Sequence, residues 1–433
     1  MLHLLSLSLP PACQRSRKPA RHKNRTTMMD ATRLVCASCA LLLVIHGCAG
    51  SADDNREIVR TDSSGVEVVT SPAPTGATSS WSVGAFPRIQ IGGPDDDTEL
   101  LHRVFSTSVL DDGRIVVSNS DTKEIRIYAA DGSRDGTFGS PGQGPGEFGD
   151  FSTMRIVSIF GDSIAVNDVS NLRVNIFRLD GQFGRALVPA SIDGYGRPFL
   201  VGAFTDGWLA FVPVGSGILT GEVGDLIDMD FAFLYYDRAA KTAVEIAGAN
   251  GRQRRVSRIG DSGIHYPYVP LTVDPSYAID WSSLVFSNSG APELMRVSAT
   301  GNTVAIYRWS PDQVAVSEIR QRFNREFIAD LDGDRLSAYE RLLASPGLPI
   351  PSVVPSVQGV LVDRMGYLWV EKYRLPWQTE PSWYVLDDSG VWLGEIETPA
   401  DVTINEIGSD YMVGVHRSEH GIQSVVVYDL ERR

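Results

Sequence analysis

Four short runs of β-branched and aromatic residues set the terms on which this chain can fold: Arg114-Ile115-Val116-Val117, Ile125-Arg126-Ile127-Tyr128, Val174-Asn175-Ile176-Phe177 and Val425-Val426-Val427-Tyr428. Short runs of this kind, bounded by turn residues, read as strands. The turns recur too. Asp112-Gly113, Asp131-Gly132, Asp180-Gly181, Asp206-Gly207 and Ser389-Gly390 each follow an apolar run, and Asp-Gly supplies the positive φ angles of tight hairpins. Measured at the aromatic residue before the turn, Tyr128 and Phe177 lie 49 residues apart.

A unit of strand, turn, strand, polar link, strand, turn, strand over about 40–50 residues has the size of one propeller blade. Six such units can be laid out, at about 103–148, 154–190, 198–248, 266–309, 352–397 and 403–430. The expectation is an all-β, six-bladed β-propeller over residues 62–433. The last unit carries about three strands, and Gly65-Val66-Glu67-Val68-Val69 offers a fourth. An N-terminal strand completing the last blade would close the ring and remove both exposed edges. One interval departs from period 2. In Ser310-Pro311-Asp312-Gln313, the Ser fits a helix N-cap, the Pro the first helical position and the Gln a capping box. Val316, Ile319, Phe323 and Phe327 then recur at helical spacing, and a second short helix is expected over Leu336, Tyr339, Leu342 and Leu343. This predicts a helical insertion at about 311–346, between blades four and five, as a covering elaboration or a lid on the channel.

The first 47 residues read as leader and signal peptide. Met28 or Met29 is a better start than Met1, because Arg33 then precedes an apolar segment, Leu34 to Ile45, as in a secretory signal. That segment is too short for a permanent span, which needs about 20 residues. Ile45-His46-Gly47-Cys48 resembles a bacterial lipobox, with His46 a departure from the usual small residue. The resemblance implies cleavage before Cys48, diacylglycerol on its sulfur and a polar tether over 48–61. Ala49 in place of Asp after the cysteine points to the outer membrane. All four cysteines, Cys13, Cys36, Cys39 and Cys48, lie in or beside the leader, so no disulfide or thiol chemistry is expected in the propeller. Residues 1–47 hold seven basic side chains and one acidic one, so the remainder is more acidic than the whole chain at −14. Its lysines are Lys123, Lys241 and Lys372, which gives no basic stripe for a nucleic-acid backbone.

The stretch GSPGQGPGEF, Gly139 to Phe148, has glycines that could cradle a phosphate. It lacks the Gly-Lys-Ser/Thr ending of a P-loop, and a β pattern rather than a βαβ unit surrounds it. It falls where one blade passes to the next, so its expected role is a sharp turn with Phe148 buried between blades. Phe-Gly-Ser-Pro-Gly-Gln-Gly-Pro-Gly-Glu-Phe after Glu-Ile-Arg-Ile-Tyr-Ala-Ala-Asp-Gly resembles the inter-blade signature of NHL-type repeats and of bacterial six-bladed propellers of the TolB-like superfamily. The resemblance spans about residues 60–433 and implies fold far more than function, since propellers host many activities.

Three related propeller types are enzymes, and each implies a demand. SMP-30-like lactonases hold a divalent cation with Glu, Asn and Asp at the axis; amidating lyases use several His on zinc; streptogramin-lyase-like propellers need a His base near a metal. Beyond residue 47 the histidines are His102, His265, His416 and His420. His416 and His420 are expected in a hairpin loop, where a spacing of four does not bring ligands together as it does on a helix. His265, Tyr266, Tyr268 and Trp281 are the ligand-face candidates. Trp369, Trp377 and Trp383 are core or groove residues. Asp330-Leu331-Asp332-Gly333-Asp334 has its Gly at the wrong position for an EF-hand, and Asp95-Asp96-Asp97 reads as a solvated loop.

The expectation is therefore an exported, lipid-anchored, monomeric propeller of the cell envelope with no cofactor, whose partner is a protein, peptide or glycan. It touches the membrane only through its anchor and binds no nucleic acid. The rival expectation is a hydrolase or lyase with one divalent cation, Ca or Zn, in the central channel.

Overall fold

The computed structural model describes residues 57–94, 99–150, 153–215, 219–259, 263–288, 290–329 and 331–433. The leader, Cys48, the tether up to residue 56, Asp95-Asp96-Asp97 and Asp330 lie outside the described residues. Among the described residues, no helix is long and apolar enough to cross a membrane.

Six antiparallel sheets follow one another along the chain and form a six-bladed β-propeller. Each of the first five is built on a four-stranded meander, beginning at the inner strands Val104–Val109, Ile156–Phe160, Phe199–Phe204, Ser276–Ile279 and Gly359–Val362. The sixth begins at Val402–Ile407 and is completed from elsewhere in the chain. Second strands such as Ile115–Asn119 are buried throughout, because both faces of a blade are covered by its neighbours. Outer strands such as Arg134–Phe138 are mostly exposed, so they read as polar.

The core is divided into six hydrophobic clusters, each shared by two adjacent blades. Leu110, Val116 and Ile125 of blade one meet Met154, Ile164 and Phe177 of blade two. On the other face of blade one, Ile91, Leu101 and Ile115 meet Tyr411, Val413 and Val425 of blade six. Phe148, fully buried, belongs to the first of these clusters and stacks on Phe177 with ring centroids 6.0 Å apart. The Gly-rich stretch is thus a structural turn. It folds back on itself through parallel pairing of Ser140–Pro141 with Glu147–Phe148. Arg173 donates to the carbonyls of Gln143, Gly144 and Glu147 at 3.0, 2.7 and 2.8 Å. Gly142 has φ 146°, and a Cβ there would stand 2.0 Å from the Glu147 carboxylate.

The ring closes with a different strand from the one expected. Val66–Ser71 pairs in parallel with Thr303–Trp309 at the outer edge of blade four. Val59–Ser63 adds a further strand there, so the expected tether is already strand from residue 59. Blade six is closed by Ile89–Ile91, which pairs antiparallel with Val425–Val427, and by Ser82–Val83 against Leu430–Glu431. Between these strands, Thr75 donates to the Trp392 carbonyl of blade five at 3.0 Å. Residues 57–91 therefore run as a belt along the outer edges of blades four, five and six. Val66–Ser71 belongs to blade four because Val69 is fully buried among Val285, Leu294, Ala305 and Tyr307.

The insertion between blades four and five is present, but its start moves. Helix α1 spans Val316–Phe327 and is preceded by Ala315 with no side-chain cap. Ser310 is not the cap, because Ala315 bridges Val353 and Val316 donates to the Ser352 carbonyl, which keeps the intervening segment extended. Helix α2 spans Gly333–Leu343 and carries Leu336, Tyr339, Leu342 and Leu343 as expected. α1 packs Val316 and Phe323 on Leu271 and Leu375 in a small core of their own.

Because Ile91 is 2% exposed and completes the sixth blade, Ile91→Ala should destabilise the fold by about 2–5 kcal/mol. Val59→Ala, at a position 51% exposed, should cost less than about 0.5 kcal/mol. Denaturant unfolding of the two variants checks the difference.

Candidate functional site: the central channel

A blade of four antiparallel strands ends at the end of the ring where it began, since an even number of traversals restores the starting level. Every inner strand therefore runs the same way along the axis. The channel has a hand-over end, where blades connect, and a turn end, where the first hairpins lie. The hand-over end carries the elaborations: the α1–α2 insertion, the Gly-rich turn and the small two-stranded sheet that pairs Leu226–Ile227 with Arg254–Arg255.

The channel has a volume of about 1900 Å³ and is lined by all six inner strands. At the hand-over end stand His102, Arg103, Arg155 and Arg417, with Asp121. The middle of the wall is formed by Ser106, Ser158, Tyr277, Thr403 and Asn405 among others. At the turn end, Phe160, Trp281 and Met365 are 38%, 54% and 59% exposed.

The acidic groups of the channel are largely occupied. Glu406 accepts from Ser108 and Tyr411 and pairs with Arg364 at 3.1 Å. Arg364 also holds Asp111 at 3.0 Å, so blades five, six and one are joined by one ionic chain. Burial, then the Glu406 carboxylate, pushes the Tyr411 phenol well above its ordinary range. Asp363 is fully buried and accepts from the Trp369 indole at 2.9 Å and from Arg432 at 2.7 Å. Asp280 accepts from Ser282 and Ser283 and pairs with Arg296 at 3.1 Å. Among the described residues, no group of three or more His, Cys, Asp or Glu side chains is arranged to hold a metal ion.

Other polar groups face the channel without partners. Arg103, Arg155 and Arg417 make no ion pair or side-chain hydrogen bond with a described residue. The guanidiniums of Arg103 and Arg155 both stand over the Phe105 ring, 5.9 and 5.7 Å from its centroid. The buried Asn405 Oδ1 has no hydrogen-bond donor. The Tyr277 hydroxyl has no partner among the described residues, and its pKa is pushed up to about 12, mainly by burial and against the opposing pull of Arg155. Tyr277 is therefore a neutral hydrogen-bond donor at any physiological pH.

Of the four ligand-face candidates, Trp281 alone lines the channel. Its backbone lies in the left-handed region, φ 68°, a conformation that bulky residues avoid unless the surroundings impose it. His265, Tyr266 and Tyr268 lie instead in and after the hairpin pairing Ser257–Ile259 with Gly263–His265. Tyr266 donates to the Leu219 carbonyl, and Tyr268 is covered by the Arg254 guanidinium 3.7 Å from its ring centroid. Tyr266 and Tyr268 hold the hand-over loops together, while the buried His265 Nδ1 has no hydrogen-bond partner among the described residues. His416 belongs to the strand Tyr411–Arg417 rather than to a loop, and His420 lies in the turn beyond it. Trp369 and Trp383 are buried, and Trp377 packs in the insertion core, so none of the three lines a groove. Reading residue types alone missed Arg103, Arg155 and Arg417, because arginines before and after strands are ordinary rim residues until the ring turns them onto one axis.

No family model and no curated protein matches the chain. Among solved structures, it is similar to a member of the DUF4221 family from Bacteroides vulgatus (12% identity, 81% of this chain and 98% of that one, TM-score 0.45). It is also similar to a gluconolactonase from Xanthomonas campestris (12% identity, 81% and 97%, TM-score 0.40) and to a virginiamycin B lyase from Staphylococcus aureus (10% identity, 81% and 99%, TM-score 0.37). Likenesses of this strength carry no argument about chemistry; the propeller is defined by the strand pairing itself.

The phenol of Tyr277 should ionise only as the pH approaches about 12. In a spectrophotometric titration, wild type and Tyr277→Phe should show the same phenolate absorbance change up to about pH 11 and diverge above it.

Proposed function

We propose that this chain is an envelope binding module that takes a peptide, glycan or protein segment into its central channel from the hand-over end. The observation that carries this reading is a channel of about 1900 Å³ with unpartnered donors and acceptors in its wall, while Glu406, Asp363 and Asp280 are tied up by the protein's own donors. Unmet hydrogen-bonding groups in a concave site are what a ligand satisfies. A rigid ring presenting elaborated loops at one end suits recognition. The alternative, a metal-dependent hydrolase or lyase, needs carboxylates free to take a cation, and Glu406, Asp363 and Asp280 are each engaged as described.

Ser158 lines the channel and makes no side-chain hydrogen bond, so Ser158→Trp should obstruct the channel without breaking a contact. In a thermal-shift screen of peptides and oligosaccharides, channel ligands should stabilise the wild type and fail to stabilise this variant. Ligands that bind both equally would put the site elsewhere. Mass-spectrometric detection of a converted ligand would replace the binding reading with the enzymatic one.

The export and anchoring part of the proposal rests on the apolar segment and Cys48. Cys48→Ala should move the protein from the membrane fraction to the soluble fraction. Retention of the variant in the membrane fraction would refute an anchor at this cysteine.

A further inference from the structure

We propose that the hand-over mouth of the channel is an anion site, in which Arg103, Arg155 and Arg417 bind a carboxylate or phosphate group carried by the ligand. This rests on the channel-binding reading and names the chemistry of its ligand. Three observations lead to it.

The first is electrostatic. The chain is acidic, at −14, and many of its arginines are paired, as with Arg173–Asp168, Arg296–Asp280 and Arg364–Glu406. Arg103, Arg155 and Arg417 line one mouth without a paired carboxylate among the described residues. Like charges gathered at one opening repel, and an anion removes that repulsion. Guanidinium is also the cation best shaped to grip planar or tetrahedral oxyanions through two parallel hydrogen bonds.

The second is positional. Phe105 underlies Arg103 and Arg155 at once, which fixes the two guanidiniums around one ring and lowers the entropy lost on binding. Arg103 is in the left-handed region, φ 54°, and its carbonyl accepts from Ser120. Arg417 reaches the same mouth from blade six. It pairs with Gln423, whose side-chain oxygen accepts from the Val104 amide at 2.9 Å. The groups facing the three are His102 and Asp121 at the mouth. Lys123 is turned inward to the Ser120 carbonyl.

The third is that the wall below continues the site. Asn405 Oδ1 lacks a donor and the Tyr277 hydroxyl lacks a partner. A ligand whose anionic group sits on the arginines and whose body carries an N–H or O–H would meet both. The opposite mouth offers Phe160, Trp281 and Met365 instead, so the two ends differ in chemistry and the ligand enters in one direction.

The test titrates inorganic phosphate and, separately, succinate into the full chain, reading thermal shift and calorimetric affinity. At least one anion should stabilise the wild type. Arg155→Gln and Arg417→Gln should each weaken it by about tenfold or more, and the triple variant with Arg103→Gln should abolish it. Arg178→Gln, whose partners are Asp162 and Asp180, should bind as the wild type does. Binding should weaken with added salt. Preference for phosphate or for succinate identifies which anionic group the ligand carries. No response of the wild type to either anion, or the same response in the triple variant, would overturn the proposal. Ser158→Trp separates the two readings, since it should block channel ligands and leave the anion response intact. Ligands excluded by Ser158→Trp but indifferent to the arginine variants would leave the channel reading standing without its anion site.

Discussion

The pairing of Ile89–Ile91 with Val425–Val427 is the contact on which the rest of the ring depends. A chain of blades without it would leave the outer edge of the sixth unpaired and would expose the apolar faces that meet in the cluster of Ile91, Leu101, Val413 and Val425. The two strands are more than three hundred residues apart, yet joining them is not prohibitive. Loop-closure entropy rises only logarithmically, by about 0.6 kcal/mol for each doubling of length. The belt of residues 57–91 spreads the closure over blades four, five and six, so the last blade does not rely on one three-residue strand alone. Arg432, just after the last strand, ties blade six to blade five and the belt, donating to Asp363 while its guanidinium packs 4.9 Å from the Trp81 ring centroid.

Closure also makes the channel. In an open array, Asp111 of blade one would stand apart from Arg364 and Glu406 of blades five and six; in the ring the three form one ionic chain. The same geometry brings Arg103, Arg155 and Arg417 from blade one, the start of blade two and blade six to one mouth. The result is a channel with unpaired cations at one end, open aromatic and apolar groups at the other, and hydrogen-bonding groups between.

Much of the fold was legible because blade strands obey local rules. Fully covered second strands must be apolar and β-branched, and hairpins must supply positive φ, so the runs and Asp-Gly turns marked the six units to within a few residues at most borders. Two errors share one cause. Gly65-Val66-Glu67-Val68-Val69 was assigned to the last blade, and Ile89–Ile91 went unnoticed, because backbone edges are chemically alike and three residues beside Gly92-Gly93 carry no periodic signal. Ser310 looked like a helix cap from its side chain and spacing, but a backbone bridge from Ala315 to Val353 held that segment extended. A pairing made with a distant strand outweighed a local preference.

The candidate site was less legible. Trp281, one of the four ligand-face candidates, lines the channel, whereas His265, Tyr266 and Tyr268 lie in and after a hand-over hairpin. The amino-acid sequence by itself determined the all-β class, the number of blades, the interrupting helices and the burial of Phe148, since each follows from side-chain periodicity and turn chemistry over a few residues. Only the tertiary structure decided which strand closes the ring, which acids are neutralised and which arginines converge. Those outcomes depend on the approach of residues remote in the chain, and no local pattern encodes the direction in which six blades turn their rims.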